Sequence, residues 1–433
     1  MRPPRRPCAG AGSVPCSVCL AADRRRHPRP YASRSGPIPP VEMTFGELHR
    51  LPLSTLVTRP VTEQFPDLRT GVVRLDAPAG TLAHAAVLDV LTRYPRHSAA
   101  GAGASRPRSR VVLDWAAGRF RTLIGAPGGA VSFGADMTSL TQGFVRSVEP
   151  ALRPGDEVVC TALDHRANVD PWRESARRRG AVVRVADLSP DGQLTVDAIT
   201  AQLSPRTRWV ALTAGSNVLG SVPDITGICA AARSTGAQVF VDGAQVPAHR
   251  SVDVAAWDCD AFVTSAATWY GPRCGILWKR SCRVGSTLAR RPGTPVGRTG
   301  PGIDAVLATG VAAEVLLSWD RAAVFRHGER LANLLARGLR MVDGVRVLGR
   351  SDDATRLPIV AFQVDGRPAA EVAGLLAEGG IVVGHGTFGA ESALRAVSPD
   401  PPETVRAGLA RYTSRADVRA LIGTVAAIAA IRR

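Results

Sequence analysis

The side chains best suited to chemistry stand at the ends of short apolar runs in the middle of the chain. Asp242 ends the run Gln238–Asp242, in Val-Phe-Val-Asp-Gly-Ala-Gln245. In an open α/β sheet, ligands bind at the carboxyl ends of the strands. A carboxylate at that edge can hold a protonated ring nitrogen, and the Gln245 amide can bond a neighbouring oxygen. A capping role is the alternative for Asp242, because many strands of α/β sheets end in aspartate.

A second candidate site opens a helix. The segment Phe133-Gly-Ala-Asp-Met-Thr-Ser-Leu-Thr141 follows the first apolar run and places Thr138 and Ser139 at a helix start. Free N–H groups, two hydroxyls and the positive end of the helix dipole favour a phosphate there. An ordinary helix N-cap is the alternative interpretation.

Two more runs are followed by side chains that suit a planar, polar ligand. His165, in Asp164-His-Arg-Ala-Asn168, can stack on a ring, with a solvated surface histidine as the alternative. Asn217, in Ser216-Asn-Val-Leu-Gly220, adds an amide donor. Because the carboxyl ends of parallel strands meet at one edge, we expect these side chains to lie on the same edge as Asp242.

These positions require an α/β domain. Continuous apolar runs separated by helix-length amphipathic segments predict a mostly parallel sheet of seven strands, covered on both faces. The predicted strands are Ala130–Phe133, Glu157–Thr161, Ala181–Val185, Trp209–Thr213, Gln238–Asp242, Ala261–Thr264 and Cys274–Trp278. The predicted helices include Pro171–Arg179, Val196–Leu203 and Ile225–Ser234.

A second region follows a predicted helix from Trp319 to Val342. Its strand-like runs predict a smaller α+β domain, and they are Val345–Leu348, Pro358–Val364, Ile381–Val383 and Val405–Ala410. We expect a disordered Arg/Pro-rich tail over residues 1–42, with Met43 a candidate for the true start. Residues 76–300 are predicted to form the large domain and residues 301–433 the small domain, on which residues 43–75 are predicted to pack. The Pro/Gly-rich stretch after Arg290 marks the boundary between the two domains.

Composition excludes several classes of protein. A chain of 433 residues with 45% hydrophobic residues is not wholly disordered. Its net charge of +17 comes from scattered arginines with only 5% aromatic residues, so no specific nucleic-acid site is predicted. No apolar run reaches the roughly 18 residues of a membrane span.

The later cysteines lie in apolar runs, as reduced thiols would, which predicts a cytoplasmic protein. Cys8, Cys16, Cys19 and His27 contain only one C-x-x-C pair, so no metal site is predicted.

From about Phe65 to Thr424 the chain resembles the class V aminotransferase-fold family, and within it the cysteine desulfurase and selenocysteine lyase-like branch. The resemblance lies in LDAPAGT, GADMTSLT, LRPGDEVVCTALDHRANVDPW, TRWVALTAGSNVLGSVPD, VDGAQ, CDAFVTSA, WYGPRCGILW and VRAGLARYTSRADV. It implies fold type I with pyridoxal phosphate at the interface of a homodimer. It also assigns roles by matched position: phosphate to Thr138 and the neighbouring Ser139, ring stacking to His165, the pyridinium to Asp242, the ring hydroxyl to Gln245, the cofactor turn to Ser265, and a substrate carboxylate to Asn217 and Arg406.

The departures from the family are concentrated on the lysine side of the site. Where the family has Ser-(Gly/Ala)-(His/Tyr)-Lys, this chain reads Ser265-Ala-Ala-Thr268, so Thr268 replaces the lysine. The family's Gly-Thr phosphate contact from the partner subunit reads Gly300-Pro301, and the loop that carries the desulfurase cysteine, Gly384 to Gly389, has no cysteine.

These changes remove specific chemistry. A threonine hydroxyl cannot form an imine, and loss of the lysine proton shuttle costs roughly 10²–10⁴ in rate. The sole lysine, Lys279, follows a strand that leads away from the pocket and is interpreted as a strand-end surface residue. Conventional cysteine desulfuration is therefore not expected.

Three hypotheses follow. In the first, the chain is a specialised enzyme that binds pyridoxal or pyridoxamine phosphate non-covalently and acts on an amino-acid-like or keto substrate; Arg406 suggests a carboxylate on it. His165, Tyr270 and His385 are then the candidate acid/base groups. In the second, a cofactor-free enzyme of a specialised biosynthetic pathway uses the same fold. In the third, the chain is a non-catalytic dimer partner or regulator.

Overall fold

A computed structural model describes residues 59–98, 105–280, 301–350, 356–398 and 403–431. The predicted tail, its Cys8, Cys16, Cys19 and His27, the boundary after Arg290 and the residue Gly300 lie outside these ranges. No helix among the described residues is both long enough and apolar enough to cross a membrane.

A seven-stranded sheet forms the larger part of the molecule. Its strands are β2 (Ala130–Gly134), β3 (Glu157–Thr161), β4 (Val182–Ala186), β5 (Thr207–Thr213), β6 (Gln238–Asp242), β7 (Ala261–Ser265) and β8 (Gly275–Lys279). Their order is β2-β8-β7-β6-β5-β3-β4, and only β8 runs antiparallel to its neighbours. The predicted fold class is confirmed, and every predicted strand lies within two residues of its observed bounds.

Helices cover both faces of this sheet. They are α1 (Val61–Gln64), α2 (Ala85–Ser98), α3 (Ser105–Leu123), α4 (Met137–Val148), α5 (Arg166–Arg179), α6 (Val196–Thr200), α7 (Ile225–Ser234), α8 (Val254–Trp257) and α9 (Ile303–Ser318). Helix α7 has its predicted bounds. Helix α5 begins five residues before the predicted start at Pro171, because His165 caps its first turn and the proline is accommodated inside the helix.

A smaller α+β region follows. Its strands are β9 (Val345–Val347), β10 (Ile359–Val364), β11 (Ile381–Val382), β12 (Gly384–Gly386) and β13 (Thr404–Gly408), and its helices are α10 (Arg321–Arg340), α11 (Ala369–Glu378), α12 (Glu391–Val397) and α13 (Arg415–Ala430). Strands β12-β13-β10-β9 form one antiparallel sheet. The N-terminal strand β1 (Val73–Arg74) pairs with β11, and Leu75 packs in the core of this region.

The apolar cores follow this division. One cluster fills the space between the seven-stranded sheet and helices α2, α3, α7 and α9, reaching Trp319 and Val324. Another lies under α4 and α5 on the opposite face, and a third joins α10, α11 and α13 to the small sheet. The site lies where the first cluster meets the small sheet.

Candidate cofactor and substrate site

Four parallel strands deliver the candidate residues to one edge of the large sheet. Strands β3, β5, β6 and β7 run in the same direction, and Asp242 pairs with Thr213 on one side and Val263 on the other. The segments that follow these strands carry His165, Asn217 and Gln245. The structure therefore places these side chains on the edge that the sequence predicts.

Asp242 is a buried carboxylate without a neighbouring cation among the described residues. Its Oδ1 accepts a hydrogen bond from the backbone N–H of Ala244 at 2.9 Å, and only 3% of the residue is exposed. Burial raises the pKa of Asp242 to about 6. An ionised carboxylate held in this way favours a positively charged partner.

A second buried carboxylate, Asp164, lies close enough to interact with Asp242. The Thr161 hydroxyl donates to its Oδ2 at 2.5 Å and the Asn168 amide donates to its Oδ1 at 2.7 Å. Burial is the largest cause that raises the pKa of Asp164 to about 8, and the charge of Asp242 adds to it. Asp164 is therefore the harder of the two carboxyls to ionise, because the charge of Asp242 adds to its burial.

His165 presents a neutral ring to the site. Its Nδ1 accepts the backbone N–H of Ala167 at 3.0 Å, so the ring proton of the neutral form is on Nε2. Burial lowers the pKa of His165 and keeps the ring uncharged. Beside Nε2 lies Gly389, where a Cβ atom would come within 2.4 Å of that nitrogen. In the neutral ring, Nε2–H can therefore donate a hydrogen bond but cannot accept one.

Thr268 lies in a 3-10 turn, Ala266–Thr268, directly after β7. Its hydroxyl donates to the backbone oxygens of Ala244, at 2.5 Å, and Ser265, at 2.8 Å. The Ala267 carbonyl accepts the backbone N–H of Thr81 at 2.8 Å, which joins the turn to the N-terminal segment. The Thr268 hydroxyl therefore joins the turn after β7 to the loop after β6, and its single proton is used on the backbone.

The start of helix α4, which the sequence predicts as a phosphate site, carries a carboxylate of the chain itself. Asp136 caps helix α4, and its Oδ1 accepts the backbone N–H of Ser139 at 2.7 Å. Ser139 is exposed, while Thr138 and His165 line the same cleft of about 480 Å³ between α4 and α5. Pro301 immediately precedes the turn into α9. A phosphate at this helix start would meet the negative charge of Asp136.

Gln245 faces the N-terminal segment: its Nε2 donates to the backbone oxygen of Pro78 at 3.1 Å. Oε1 is then the atom left for a ligand hydroxyl. Ser265, at the end of β7, is half-buried beside this turn.

Asn217 and Arg406 come together, but with partners from within the chain. Arg406 on β13 donates through Nη1 to the backbone oxygen of Asn217 at 3.1 Å and through Nη2 to Asp76 Oδ1 at 2.5 Å. The Asn217 amide donates to the backbone oxygen of Phe388 at 3.0 Å. The Phe388 ring covers the guanidinium, with its centroid 3.9 Å from Cζ of Arg406.

Two candidate acid/base residues lie apart from this group. Tyr270 is fully buried, and its hydroxyl accepts the backbone N–H of Arg411 at 3.0 Å within a cluster of Phe65, Trp319 and Tyr412. Burial raises the pKa of Tyr270. His385 is exposed on β12. Catalytic roles for both residues stay predictions, and the packing of Tyr270 is that of a core residue.

Lys279, the one lysine of the sequence, lies away from Asp242 and Thr268. It lies at the far end of β8, four residues and roughly 13 Å from the edge that carries Asp242. The surface position expected for it is wrong: only 2% of Lys279 is exposed, and its Nζ has no hydrogen-bond partner among the described residues. Burial lowers its pKa.

Sequence reasoning missed four residues that shape the site: Asp76, Asp136, Asp164 and Phe388. Asp136 stands inside the predicted phosphate segment and Asp164 directly before His165, so an acidic residue beside each candidate was the available signal. Asp76 and Phe388 are more than 300 residues apart in the chain. Nothing in the local sequence of either residue indicates that both contact Arg406.

The residues present fit one part of a pyridoxal-type cofactor better than the other. The uncompensated carboxylate of Asp242 and the neutral ring of His165 fit a protonated heteroaromatic ring. The Asp136 carboxylate does not favour a phosphate at α4, and Thr268 offers no amine. The residues present therefore suit the ring of such a cofactor better than its phosphate.

The chain is similar to known proteins over most of its length. A family profile described as "Aminotransferase class-V" matches residues 73–421. A Pseudomonas aeruginosa protein named "Probable cysteine desulfurase" is 31% identical over 373 residues, which cover 80% of this chain and 91% of that protein. A Pseudomonas putida protein of the same name is 31% identical over 370 residues, covering 80% and 90%. The crystal structure of the cysteine desulfurase CsdA (S-sulfonic acid) from Escherichia coli has a TM-score of 0.74 at 28% identity, covering 84% of this chain and 96% of that one.

Proposed function

Because this chain belongs to the class V aminotransferase family, whose members depend on pyridoxal phosphate, we propose that it is an atypical, cysteine desulfurase-like member that binds pyridoxal or pyridoxamine phosphate non-covalently. It would act on an amine or keto substrate and not as a conventional desulfurase. The observation that carries this proposal is the buried, uncompensated carboxylate of Asp242. Retaining such a group without a cationic ligand costs stability.

Each side chain has a defined part in this proposal. Asp242 would hold the ring nitrogen in its protonated form, His165 would cover the ring face, and Gln245 Oε1 would face the ring hydroxyl. When bound, the cofactor supplies an electron sink for a substrate carbon. Thr268 holds the loop after β6 in place through Ala244 and leaves the cofactor aldehyde or amine unattached.

The first experiment is a titration of the purified protein with pyridoxal phosphate and pyridoxamine phosphate, followed by tryptophan fluorescence. We expect micromolar binding that is lost in Asp242→Ala and kept in the control Asp187→Ala, which removes an exposed carboxylate. Borohydride treatment of the mixture should give no pyridoxyl-labelled peptide. Absence of binding by the wild-type protein contradicts the proposal.

A second experiment restores the amine. In Thr268→Lys, alone and together with Ala267→His, we expect the absorption band of a covalent cofactor, because the lysine would stand at the edge that carries Asp242. The control Thr264→Lys places an amine in the buried strand just before the turn and should give no such band. A protein that folds but forms no covalent band in either variant shows that the pocket differs by more than this residue.

A second candidate function is that of a cofactor-free enzyme of a specialised pathway or a non-catalytic partner of an active relative. It is supported by Asp136, whose carboxylate accepts the Ser139 N–H at the helix start predicted to bind a phosphate. The non-catalytic partner is further supported by the candidate acid/base groups, because His165 Nδ1 accepts a backbone N–H and Tyr270 is packed in the core. In this case pyridoxal phosphate fails to bind while the folded protein is otherwise intact.

Two further parts of the proposal rest on family resemblance and thiol burial. We propose a homodimer, which light scattering of the purified chain tests directly. We also propose a cytoplasmic location, supported by four cysteines that are free and buried: Cys160, Cys229, Cys259 and Cys274.

A further inference from the structure

A second cavity, of about 660 Å³, lies beside the start of α7 and the end of α8. We call it the Arg250 cavity, after the half-buried arginine that lines it. It adjoins the segments that follow β5 and β6, since Ala214 lines it and donates its backbone N–H to the Asp242 backbone oxygen at 2.7 Å. None of the residues assigned to the candidate cofactor and substrate site lines it. Its volume is typical of a site for a small organic ligand.

Apolar side chains supply half of the lining residues. They are Ala214, Val222, Pro223, Ile225, Val246 and Trp257. Trp257 is half-buried, and its ring packs against that of Phe262 with the centroids 6.1 Å apart, which holds the indole in place. An aromatic side chain that lines a cavity offers a flat surface on which a ligand ring can pack.

Arg250 is held in the cavity by an aromatic ring and by the backbone. Its Cζ lies 4.8 Å from the ring centroid of Phe325 on α10, a cation–π contact. The loop that carries it is fixed, because its backbone N–H donates to Val246 O at 2.9 Å and its backbone oxygen accepts Arg321 Nη2 at 2.7 Å. Over the part of the chain that the structure describes, the Arg250 guanidinium forms neither a hydrogen bond nor an ion pair. Its N–H groups are therefore open to a ligand.

The other charged residues of the lining have partners within the chain. Arg350 Nε lies 4.0 Å from Asp191 Oδ2. Asp224 caps α7, and its Oδ1 accepts the backbone N–H of Gly227 at 3.0 Å. Burial lowers the pKa of Arg250, while the charge of Glu329 acts in the opposite direction. A partly desolvated cation without a paired carboxylate is stabilised by an anionic ligand.

We propose that the Arg250 cavity is a second ligand site, which binds a small aromatic monocarboxylate. The planar guanidinium of Arg250 offers the parallel N–H groups that a carboxylate accepts. Trp257 and the aliphatic residues around it pack against the ring of the ligand. The proposal does not depend on the proposed function, because it uses no residue assigned to the cofactor.

The test uses 4-fluorobenzoate as the probe, added to the purified protein without cofactor and followed by fluorine NMR. We expect a saturable change in the probe signal with a dissociation constant of about 1 mM or lower. The neutral isostere 4-fluorobenzamide has the same ring and lacks the charge. We expect it to bind at least about tenfold more weakly.

Three variants locate the binding. Arg250→Gln should weaken the affinity for 4-fluorobenzoate about tenfold or more. The matched control Arg326→Gln removes an exposed arginine next to Phe325 on the same helix and should leave the affinity unchanged. Thr226 is exposed and lines the cavity, so Thr226→Trp should fold and fill part of the space that the ring needs.

Three outcomes overturn the inference: no saturable binding by the wild-type protein, equal affinities for the acid and the amide, or unchanged binding in folded Arg250→Gln or Thr226→Trp. The last outcome would place the anion elsewhere on this basic chain. Since no cofactor is present in these measurements, their result is separate from whether pyridoxal phosphate binds.

Discussion

The two buried carboxylates show how single residues set the electrostatics of the site. Asp242 has a pKa of about 6 and Asp164 one of about 8, both raised chiefly by burial. Because the pKa of Asp164 is the higher of the two, Asp164 is mostly protonated when Asp242 ionises. Of the two carboxyls, Asp242 is therefore the one that more readily carries a negative charge.

This assignment predicts how Asp164 affects stability. A raised pKa in the folded state adds stability that is complete below about pH 4 and is lost as the pH rises through about 8. We expect Asp164→Asn to unfold at a higher temperature than the wild-type protein above about pH 8 and to lose this advantage towards about pH 5. Thermal unfolding across this range checks it, with Asp187→Asn as an exposed control. A constant difference at every pH would contradict the raised pKa.

At the scale of elements, the start of helix α4 and the loop after β12 decide what the pocket can hold. The helix start carries the Asp136 cap in place of an open anion site. The loop approaches α5 through the Gly389 carbonyl, which accepts the backbone N–H of Arg166 at 2.7 Å. At each of these elements the chain supplies a hydrogen-bond partner of its own: the Asp136 carboxylate for the Ser139 N–H, and the Gly389 carbonyl for the Arg166 N–H.

The α4 cap predicts a gain in cofactor affinity on substitution. In Asp136→Thr the hydroxyl still caps the helix, but the negative charge is removed, so we expect pyridoxal phosphate to bind about tenfold more tightly or better. Pyridoxal, which lacks the phosphate, is the control ligand and should bind with unchanged affinity. Fluorescence titration measures both. An equal change for the two ligands would place the effect elsewhere than at the phosphate.

The contact between the loop and His165 predicts a loss of stability in Gly389→Ala. Gly389 has a φ of 64°, and an added Cβ would lie 2.4 Å from His165 Nε2. We expect an unfolding free energy lower by about 2–4 kcal/mol, the sum of backbone strain and a steric clash. Gly380→Ala is the matched control, because its φ is 75° and its Cβ would meet nothing within 4 Å. Similar losses in urea unfolding for the two variants would refute the clash.

At the scale of the whole molecule, buried histidines tie stability to pH on the acid side. Burial, with a smaller contribution from Arg411, lowers the pKa of His84 to about 4. Burial, with a smaller contribution from Arg321, lowers that of His249 to about 3. His84 packs against Phe65 and Trp319, in the cluster that joins the N-terminal segment to the large sheet and α10.

Acid should therefore unfold the protein through these residues. A lowered pKa in the folded state gives stability that is complete above about pH 6.5 and is lost as the pH falls towards about 4 and about 3. We expect His249→Gln to reduce the slope of unfolding free energy against pH by about one proton between about pH 6 and about pH 4. Met341→Gln, at an exposed position without a titratable side chain, should leave the slope unchanged. Urea unfolding at several pH values measures it, and an unaltered slope in His249→Gln would count against the assignment.

The sequence by itself determined the fold and the edge on which the site lies. Seven apolar runs of strand length fixed the large sheet, because strands buried on both faces need apolar residues at every position. Asp242, His165 and Asn217 could be placed on one edge because Asp242 ends such a run and the other two residues follow one. That Thr268 stands where the family has a lysine stays a prediction from the resemblance.

The tertiary structure decided how these residues are used. Asp76 reaches Arg406 only because β1 and its following turn return to the small sheet, over a separation of 330 residues. Whether Tyr270 or His165 can exchange a proton depends on the backbone N–H groups that their polar atoms meet, and Lys279 proved to be buried. Such contacts arise from distant segments brought together by packing, so local pattern carries no record of them.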